Sequence, residues 1–216
     1  MAKKGRRRMA WVIGGIVLLA LGAWGYFIYR VKTVERPDYA LVEAEGDIEL
    51  RDYPALTVAE VTRRGSRQDA VSAGFGPLAR YIFAKARGGD PIAMTAPVTQ
   101  SAQAPIAMTA PVTQEEGDDG GWAVRFIMPS EYTLETLPAP AGDVRLVQVP
   151  ARRMAVIQFS GVATDERVAA HEARLRDWLD ARSLEVGGPA TYAYYDDPWM
   201  PPPLRRNEVQ LPLVTE

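Results

Sequence analysis

The chain repeats one order of strands, turns and a helix in its two halves, and this duplication limits the possible folds more than any other feature. Predicted strands at residues 47–53 and 56–62 precede a helix in the first half, and 144–149 and 154–159 do so in the second. Turn-forming residues recur 96 to 99 positions apart, namely Pro54 with Pro150, Gly65 with Gly161, Gly88 with Gly187 and Pro91 with Pro189. Because such residues separate elements, the sequence predicts two β-β-α-β units around a pseudo-twofold axis.

Each half has one segment with the apolar spacing of an amphipathic helix. Ser66 and Thr164 are the predicted N-caps, because their hydroxyls can accept hydrogen bonds from the free N–H groups of a first helical turn. Apolar residues recur at helical intervals behind both caps. These stripes are Val71, Phe75, Leu78 and Ile82 in the first helix, and Val168, Leu175, Trp178 and Leu179 in the second.

A perfect ten-residue repeat, PIAMTAPVTQ, occupies residues 91–100 and again 105–114. Nothing else recurs at this spacing, so it is a local tandem duplication and not a solenoid. One copy is predicted to form the strand after the first helix, and the other to lengthen the following loop. The sequence leaves open which copy takes which part.

The N-terminal segment has the pattern of a membrane anchor. Residues 9–29 carry no charge, and a helix of that length spans about 30 Å, the thickness of a bilayer core. Basic residues are concentrated in 1–8, which predicts a cytoplasmic tail and places the rest across the membrane. The expected organisation is therefore a tail (1–8), a transmembrane anchor (9–29), a linker (30–38) and one domain (39–216).

This pattern predicts a single-pass protein of the cell inner membrane with its C-terminal domain in the periplasm. The alternative is a signal peptide cleaved near Ala20-Leu21-Gly22, although apolar residues continue past that point.

Composition excludes several classes of site. The chain has no cysteine and one histidine, so a Cys/His zinc site, a cysteine nucleophile and a thiolate-held cluster are impossible. Residues 1–36 have a net charge of +7, and the remaining 180 have 17 basic and 26 acidic groups, a net of −9. An acidic domain is a poor partner for nucleic acid. No paired nucleophile and base is present, so we expect no enzymatic activity.

Two further features leave alternatives open. His171 lies beside the apolar stripe of the second helix, where it is either a hydrogen-bonded structural residue or an axial ligand or general base. Aromatic residues and Met200 crowd a Pro-rich loop, where they either wall a ligand pocket or cover the end of a barrel. The aromatic members are Tyr192, Tyr194, Tyr195 and Trp199.

Several motifs in order resemble the SOUL haem-binding proteins over about residues 39–213. They are ELRDY at 49–53, GFxxLxxYI at 74–82, IAMTAPV at 92–98 and 106–112, FIMPS at 126–130, FSG at 159–161 and RNEV at 206–209. The resemblance implies an α+β fold, a distorted antiparallel β-barrel flanked by two α-helices with an internal pseudo-twofold repeat, here preceded by one transmembrane helix.

The resemblance also implies a site for haem or a related tetrapyrrole, bound without covalent attachment in an apolar groove beside the first helix. Carried over by position, the groove would use Phe75, Leu78, Ala79 and Ile82 for contact, Arg80 for a propionate, and Trp199 and Met200 to close the far side. The metal ligand is unknown. Some family members have a histidine where this chain has Asp52, which leaves Met or Tyr ligation, or no protein ligand.

The expected function is non-enzymatic binding of haem or a porphyrin by a membrane-tethered domain, for buffering or transfer. One alternative is a binder of other amphiphilic small molecules, resembling the gyrase-inhibitor-like ligand-sensing domains. Another is an interaction module whose groove receives a helix of a protein partner.

Overall fold

The structure is a computed structural model that describes residues 34–85, 89–102 and 121–214, with scattered positions between Trp11 and Gly25. The predicted tail, most of the predicted anchor and the second repeat copy (105–114) lie outside the described residues. Among the residues that are described, no helix has the length and apolar character needed to cross a membrane. The chain divides into two compact units, Met1–Val34 and Glu35–Glu216, and the second contains the β-sheet.

The described part of the second unit contains nine strands, two α-helices and a short 3₁₀ helix at Pro202–Leu204. The helices are α1 (Arg67–Ile82) and α2 (Asp165–Asp180). The strands are β1 (Ala40–Glu45), β2 (Ile48–Tyr53), β3 (Leu56–Arg63), β4 (Val98–Ala102), β5 (Trp122–Ile127), β6 (Arg145–Val149), β7 (Arg152–Ser160), β8 (Thr191–Tyr194) and β9 (Arg206–Pro212). The first copy of the repeat thus supplies most of β4.

The strand order confirms the predicted duplication. All strands join one antiparallel sheet in the order β1-β2-β7-β9-β8-β4-β5-β3-β6. β1 has no counterpart, but exchanging β2 with β6, β7 with β3, β9 with β5 and β8 with β4 reproduces the order of the other eight strands from the opposite end. Each half of the duplicated domain therefore has the order β-β-α-β-β, which is the predicted β-β-α-β repeat with one more strand. The pseudo-twofold axis passes between β4 and β8.

The predicted barrel is wrong, because the sheet is open. Its edges are β1 and β6, and no pairing between described residues joins them. Strand β1 is exposed along its whole length, but its last residue, Glu45, is engaged by α2 and the turn that follows it. Trp178 Nε1 donates to Glu45 at 3.1 Å, and Arg182 also pairs with Glu45. These contacts hold the edge strand against the second helix.

Both helices lie on one face of the sheet. Across the central strands, Val61 lies opposite Val124, Val124 opposite Gln100, Gln100 opposite Tyr192, and Tyr192 opposite Val209. Neighbours in such a row point to the same face. Val124 belongs to the core under α1 and Val209 to the core under α2. We call this the helical face and the other the rear face.

Side-chain hydrogen bonds cap both helices and let α1 continue through a proline. Ser66 is its N-cap, as predicted, and accepts from the Asp69 N–H at 3.2 Å. Pro77 has no N–H and leaves the carbonyl of Ala73 without its usual helical donor. The Arg63 side chain replaces that donor, with Nε 3.3 Å from the Ala73 oxygen. Thr164 caps α2 in the same way, as predicted.

We predict that Gly74→Ala destabilises the domain whereas Gly76→Ala does not. A Cβ at Gly74 would lie 2.8 Å from Val124 Cβ, so α1 would have to move away from β5. Overpacking of this kind costs about 1–3 kcal/mol. At Gly76 the nearest atom is the end of the Arg80 side chain, 3.5 Å away, and alanine gains up to about 1 kcal/mol of helix propensity. Urea unfolding of the two variants measures the difference, and equal free energies of unfolding would contradict the close approach.

Candidate functional site

Part of the predicted groove is an exposed aromatic surface on α1. Phe75 is 42% exposed, and its ring packs edge-on against Phe126 with centroids 5.2 Å apart. Ala79 is half-buried, and Phe83, at the C-cap, is 44% exposed. Residues four apart are neighbours on a helix surface, so Phe75, Ala79 and Phe83 form one strip, which we call the aromatic flank. The apolar spacing and the family motifs did not single out Phe83.

Leu78 and Ile82 lie in the hydrophobic core and not on the surface. Both are fully buried between α1 and the sheet, with Val124 and Phe126 among their neighbours in the core cluster. The carbonyl of Ile82 also accepts from the Ile92 N–H at 2.7 Å. Apolar spacing locates a buried stripe correctly, but it does not separate the residues that hold a helix on its sheet from those that face a ligand.

Arg80 is exposed on a different side of α1 from Phe75. Five residues rotate the helix by about 140°, which directs Arg80 toward the loop before β6. The pKa of the Asp143 carboxyl there is lowered, mainly by its hydrogen bond from Arg63 and to a smaller degree by the charge of Arg80. Arg80 and the Phe75 ring are therefore not brought together in this structure.

The loop between β8 and β9 exposes one of its two predicted contact residues and buries the other. Trp199 is 87% exposed, whereas Met200 is buried. Arg205 fixes the loop by donating to the carbonyl of Met200 at 2.7 Å and to that of Pro198. The next residues, Pro203 and Leu204, line an open cleft with Phe159, Arg167 and His171. These neighbours belong to the half of the domain that carries α2.

His171 matches the structural interpretation of the sequence. Its ring stacks on Phe159 with centroids 4.1 Å apart, and Nδ1 is 2.6 Å from the carbonyl oxygen of Arg167. Within the described ranges, no group of three or more His, Asp or Glu side chains is arranged to hold a metal ion. Asp52 is engaged by Arg153 through two hydrogen bonds of 2.7 and 2.8 Å.

A buried polar network on the rear face was not identified from the sequence. Glu208 is 1% exposed and lies at its centre. Its carboxylate accepts hydrogen bonds from four residues in strands β2, β8 and β9 or at their ends, and Arg206 donates two of them. The donors are Arg51 at 3.0 Å, Tyr195 at 2.8 Å, Arg206 at 2.6 Å and Gln210 at 2.8 Å. The alternation of polar and apolar residues in β9 is the sequence signal for this face.

The electrostatics of the network keep Glu208 ionised. Burial raises the pKa of the Glu208 carboxyl, but the charges of Arg51 and Arg206 outweigh burial and leave the pKa below its usual value. Burial also raises the pKa of Tyr195 well above normal and that of Tyr53 to about 12. Both phenols therefore stay protonated, and Tyr195 donates to the carboxylate.

The fold and its surfaces define the class of this domain, a duplicated α+β domain with an open antiparallel sheet and two helices on one face. The sequence pattern of the SOUL heme-binding protein family matches residues 34–212 of this chain. The chain therefore belongs to the SOUL heme-binding protein family. No curated protein matches the sequence of this chain.

Solved structures share the fold at low sequence identity. The C-terminal domain of EcmrR has a TM-score of 0.56 at 14% identity, with 82% of this chain and 99% of that chain covered. A hydrolase from Listeria innocua has a TM-score of 0.53 at 14% identity, with coverages of 80% and 94%. EcmrR in its complex with DNA has a TM-score of 0.55 at 14% identity and coverages of 98% and 71%. At these identities the likeness concerns the fold alone.

Proposed function

We propose that this chain binds haem or a related tetrapyrrole non-covalently, and that the aromatic flank of α1 is the contact surface. The observation that carries the proposal is the exposed ring of Phe75 on α1, which packs against Phe126 of β5. The chain belongs to a haem-binding family. Large apolar side chains left open to solvent along one strip are typical of binding surfaces.

The residues present fit the apolar part of a tetrapyrrole. Edge-to-face packing on Phe126 fixes the Phe75 ring, so little side-chain freedom is lost when a flat ligand covers it. Met94 is 37% exposed and lies two residues beyond Ile92, which bonds to the end of α1. Its thioether is a candidate iron ligand at that end of the flank. Bound haem supplies redox and ligand-binding chemistry, and the protein supplies a surface that holds it.

Holding or transferring the ligand, without transforming it, is the role we assign. The support is the lack of a paired nucleophile and base in the sequence. We further propose that residues 9–29 anchor the domain in the inner membrane with residues 39–216 in the periplasm. That part rests on the uncharged run and the basic residues before it.

We predict that Phe75→Asp weakens hemin binding by about tenfold or more, because a carboxylate replaces the apolar contact and repels the propionates. The experiment is a titration of the full chain with hemin, followed by the Soret band against a free-hemin control. The matched control is Leu41→Asp, which also places a charge at an exposed apolar position but on β1.

Unchanged hemin affinity in Phe75→Asp would exclude the aromatic flank as the contact surface. Equal losses in Phe75→Asp and Leu41→Asp would show that only the net charge matters. Urea unfolding of both variants checks that the fold is intact.

A further inference from the structure

An arginine with no ion pair among the described residues lies on the rear face of the sheet. Arg152 begins β7 and is half-buried, and no other residue in the described part of the chain gives it a hydrogen bond or an ion pair. Its neighbour Arg153, by contrast, is paired with Asp52. Burial lowers the pKa of Arg152, and the positive charge of Arg125 lowers it further. A partly desolvated guanidinium without an anion is unfavourable, so the site favours a negative group.

Arg152 borders a small cavity with mainly apolar walls. The cavity has a volume of about 30 Å³ and is lined by apolar side chains, three prolines besides Pro37, and a few polar groups. The apolar side chains are Leu56, Val58, Ile127, Val149 and Met154, and the polar ones include Thr99, Tyr195 and Gln210. Arg125 also lines the cavity but is paired with Glu60. An apolar wall beside a positive charge that has no ion pair among the described residues suits a molecule with an apolar body and one anionic end.

One chain segment separates this cavity from two others. Cavities of about 160 and 280 Å³ lie next to it, and Pro37 lines all three. We call residues 35–39 the strap. The strap therefore forms part of the wall of all three cavities, and Arg152 lines the first of them.

Two hydrogen bonds and three ring contacts between described residues hold the strap. The carbonyl of Glu35 accepts from the Ala96 N–H at 2.9 Å, and its carboxylate accepts from the Ser130 N–H at 2.9 Å. Further contacts of the strap, at Arg36 and Tyr39, join an aromatic ring to a cation or to a second ring. Arg36 lies over Tyr195 at 5.4 Å, Arg51 over Tyr39 at 4.4 Å, and Tyr39 against Tyr53 at 5.4 Å. Contacts of this kind are small enough for a ligand to replace.

We propose that the rear face is a second binding site, for an apolar chain that carries one carboxylate. Its carboxylate pairs with Arg152, and its apolar part replaces the strap against Leu56, Ile127 and Met154. The guanidinium suits a carboxylate because it can donate two parallel hydrogen bonds. Arg125 is not free to compete, since it already donates to Glu60 at 2.7 Å.

The test uses the full chain and three probes of equal chain length, octanoate, octan-1-ol and octyltrimethylammonium, in isothermal titration calorimetry. We expect saturable binding of octanoate and at least about tenfold weaker binding of the other two. Arg152→Gln should weaken octanoate binding by about tenfold, and Arg152→Lys by less. The matched control, Arg153→Gln, removes a charge from the adjacent, already paired position and should leave the affinity unchanged.

A hemin titration distinguishes this site from the aromatic flank, because Arg152→Gln should not change the affinity for hemin. The proposal is overturned if octanoate does not bind, if octanol binds as tightly, or if Arg152→Gln and Arg153→Gln behave alike. Loss of octanoate and hemin binding together in Arg152→Gln would also overturn it, because the two ligands would then share one site.

Discussion

Replacing Glu208 by alanine should lower the free energy of unfolding by about 3–5 kcal/mol, because breaking a buried ion pair leaves the remaining charge poorly compensated. Of its ion-pair partners, Arg51 would keep only Glu49, 2.6 Å away, whose side chain is 29% exposed. The Arg51 side chain is 1% exposed and would lose the carboxylate at 3.0 Å. Arg206, Tyr195 and Gln210 would lose their acceptor in the same step. Urea denaturation followed by fluorescence measures the effect, provided that the slope of the transition is unchanged.

The control for this prediction is Asp52→Ala, which breaks an ion pair of similar geometry at the surface. Asp52 and Arg153 are both about 40% exposed and 2.7 Å apart. Exposed pairs contribute about 0–1 kcal/mol, so this variant should unfold almost like the wild type. A loss below about 1 kcal/mol in Glu208→Ala would show that the network contributes little to stability.

The same carboxylate predicts how stability depends on pH. The folded pKa of Glu208 lies below its ordinary value of 4.5, so the unfolded chain takes up the proton first as pH falls. The stabilisation is therefore complete above about pH 4.5 and is lost as pH falls through the lower, folded pKa. Glu208→Gln should reduce the pH dependence of the free energy of unfolding in this range, and an unchanged dependence would assign it to other carboxyls.

Leu78→Ala should lower the free energy of unfolding by about 2–5 kcal/mol without changing the affinity for hemin. Leu78 is fully buried in the core under α1, so its removal leaves a cavity in the protein and exposes no new contact to a ligand. The comparison is Phe75→Ala, whose ring is 42% exposed. That variant should lose less stability but weaken hemin binding. The reverse pattern would place Leu78, and not Phe75, at the ligand.

Much of the fold could be predicted because its signals are local. The caps at Ser66 and Thr164 and the order of elements in each half follow from short patterns, and the structure confirms them. The open sheet could not be predicted in this way. The edge strands β1 and β6 do not pair with each other in the described residues, and contacts of an edge strand such as Arg182 with Glu45 join residues that are distant in sequence.

The site was harder to predict for a related reason. Apolar spacing placed Phe75, Leu78 and Ile82 in one stripe, but two of the three are needed to hold α1 on the sheet. The rear-face network depends on Arg51 and Glu208, which are 157 residues apart. They meet because β2 and β9 both pair with β7, and no local pattern contains that information.

The most direct test of the central claim is a titration of the full chain with hemin, repeated with iron-free protoporphyrin as a competitor. We predict a saturable shift of the Soret band at one equivalent, with competition by protoporphyrin, because the aromatic flank contacts the ring and not the iron. A featureless change that does not saturate with added hemin would contradict the account.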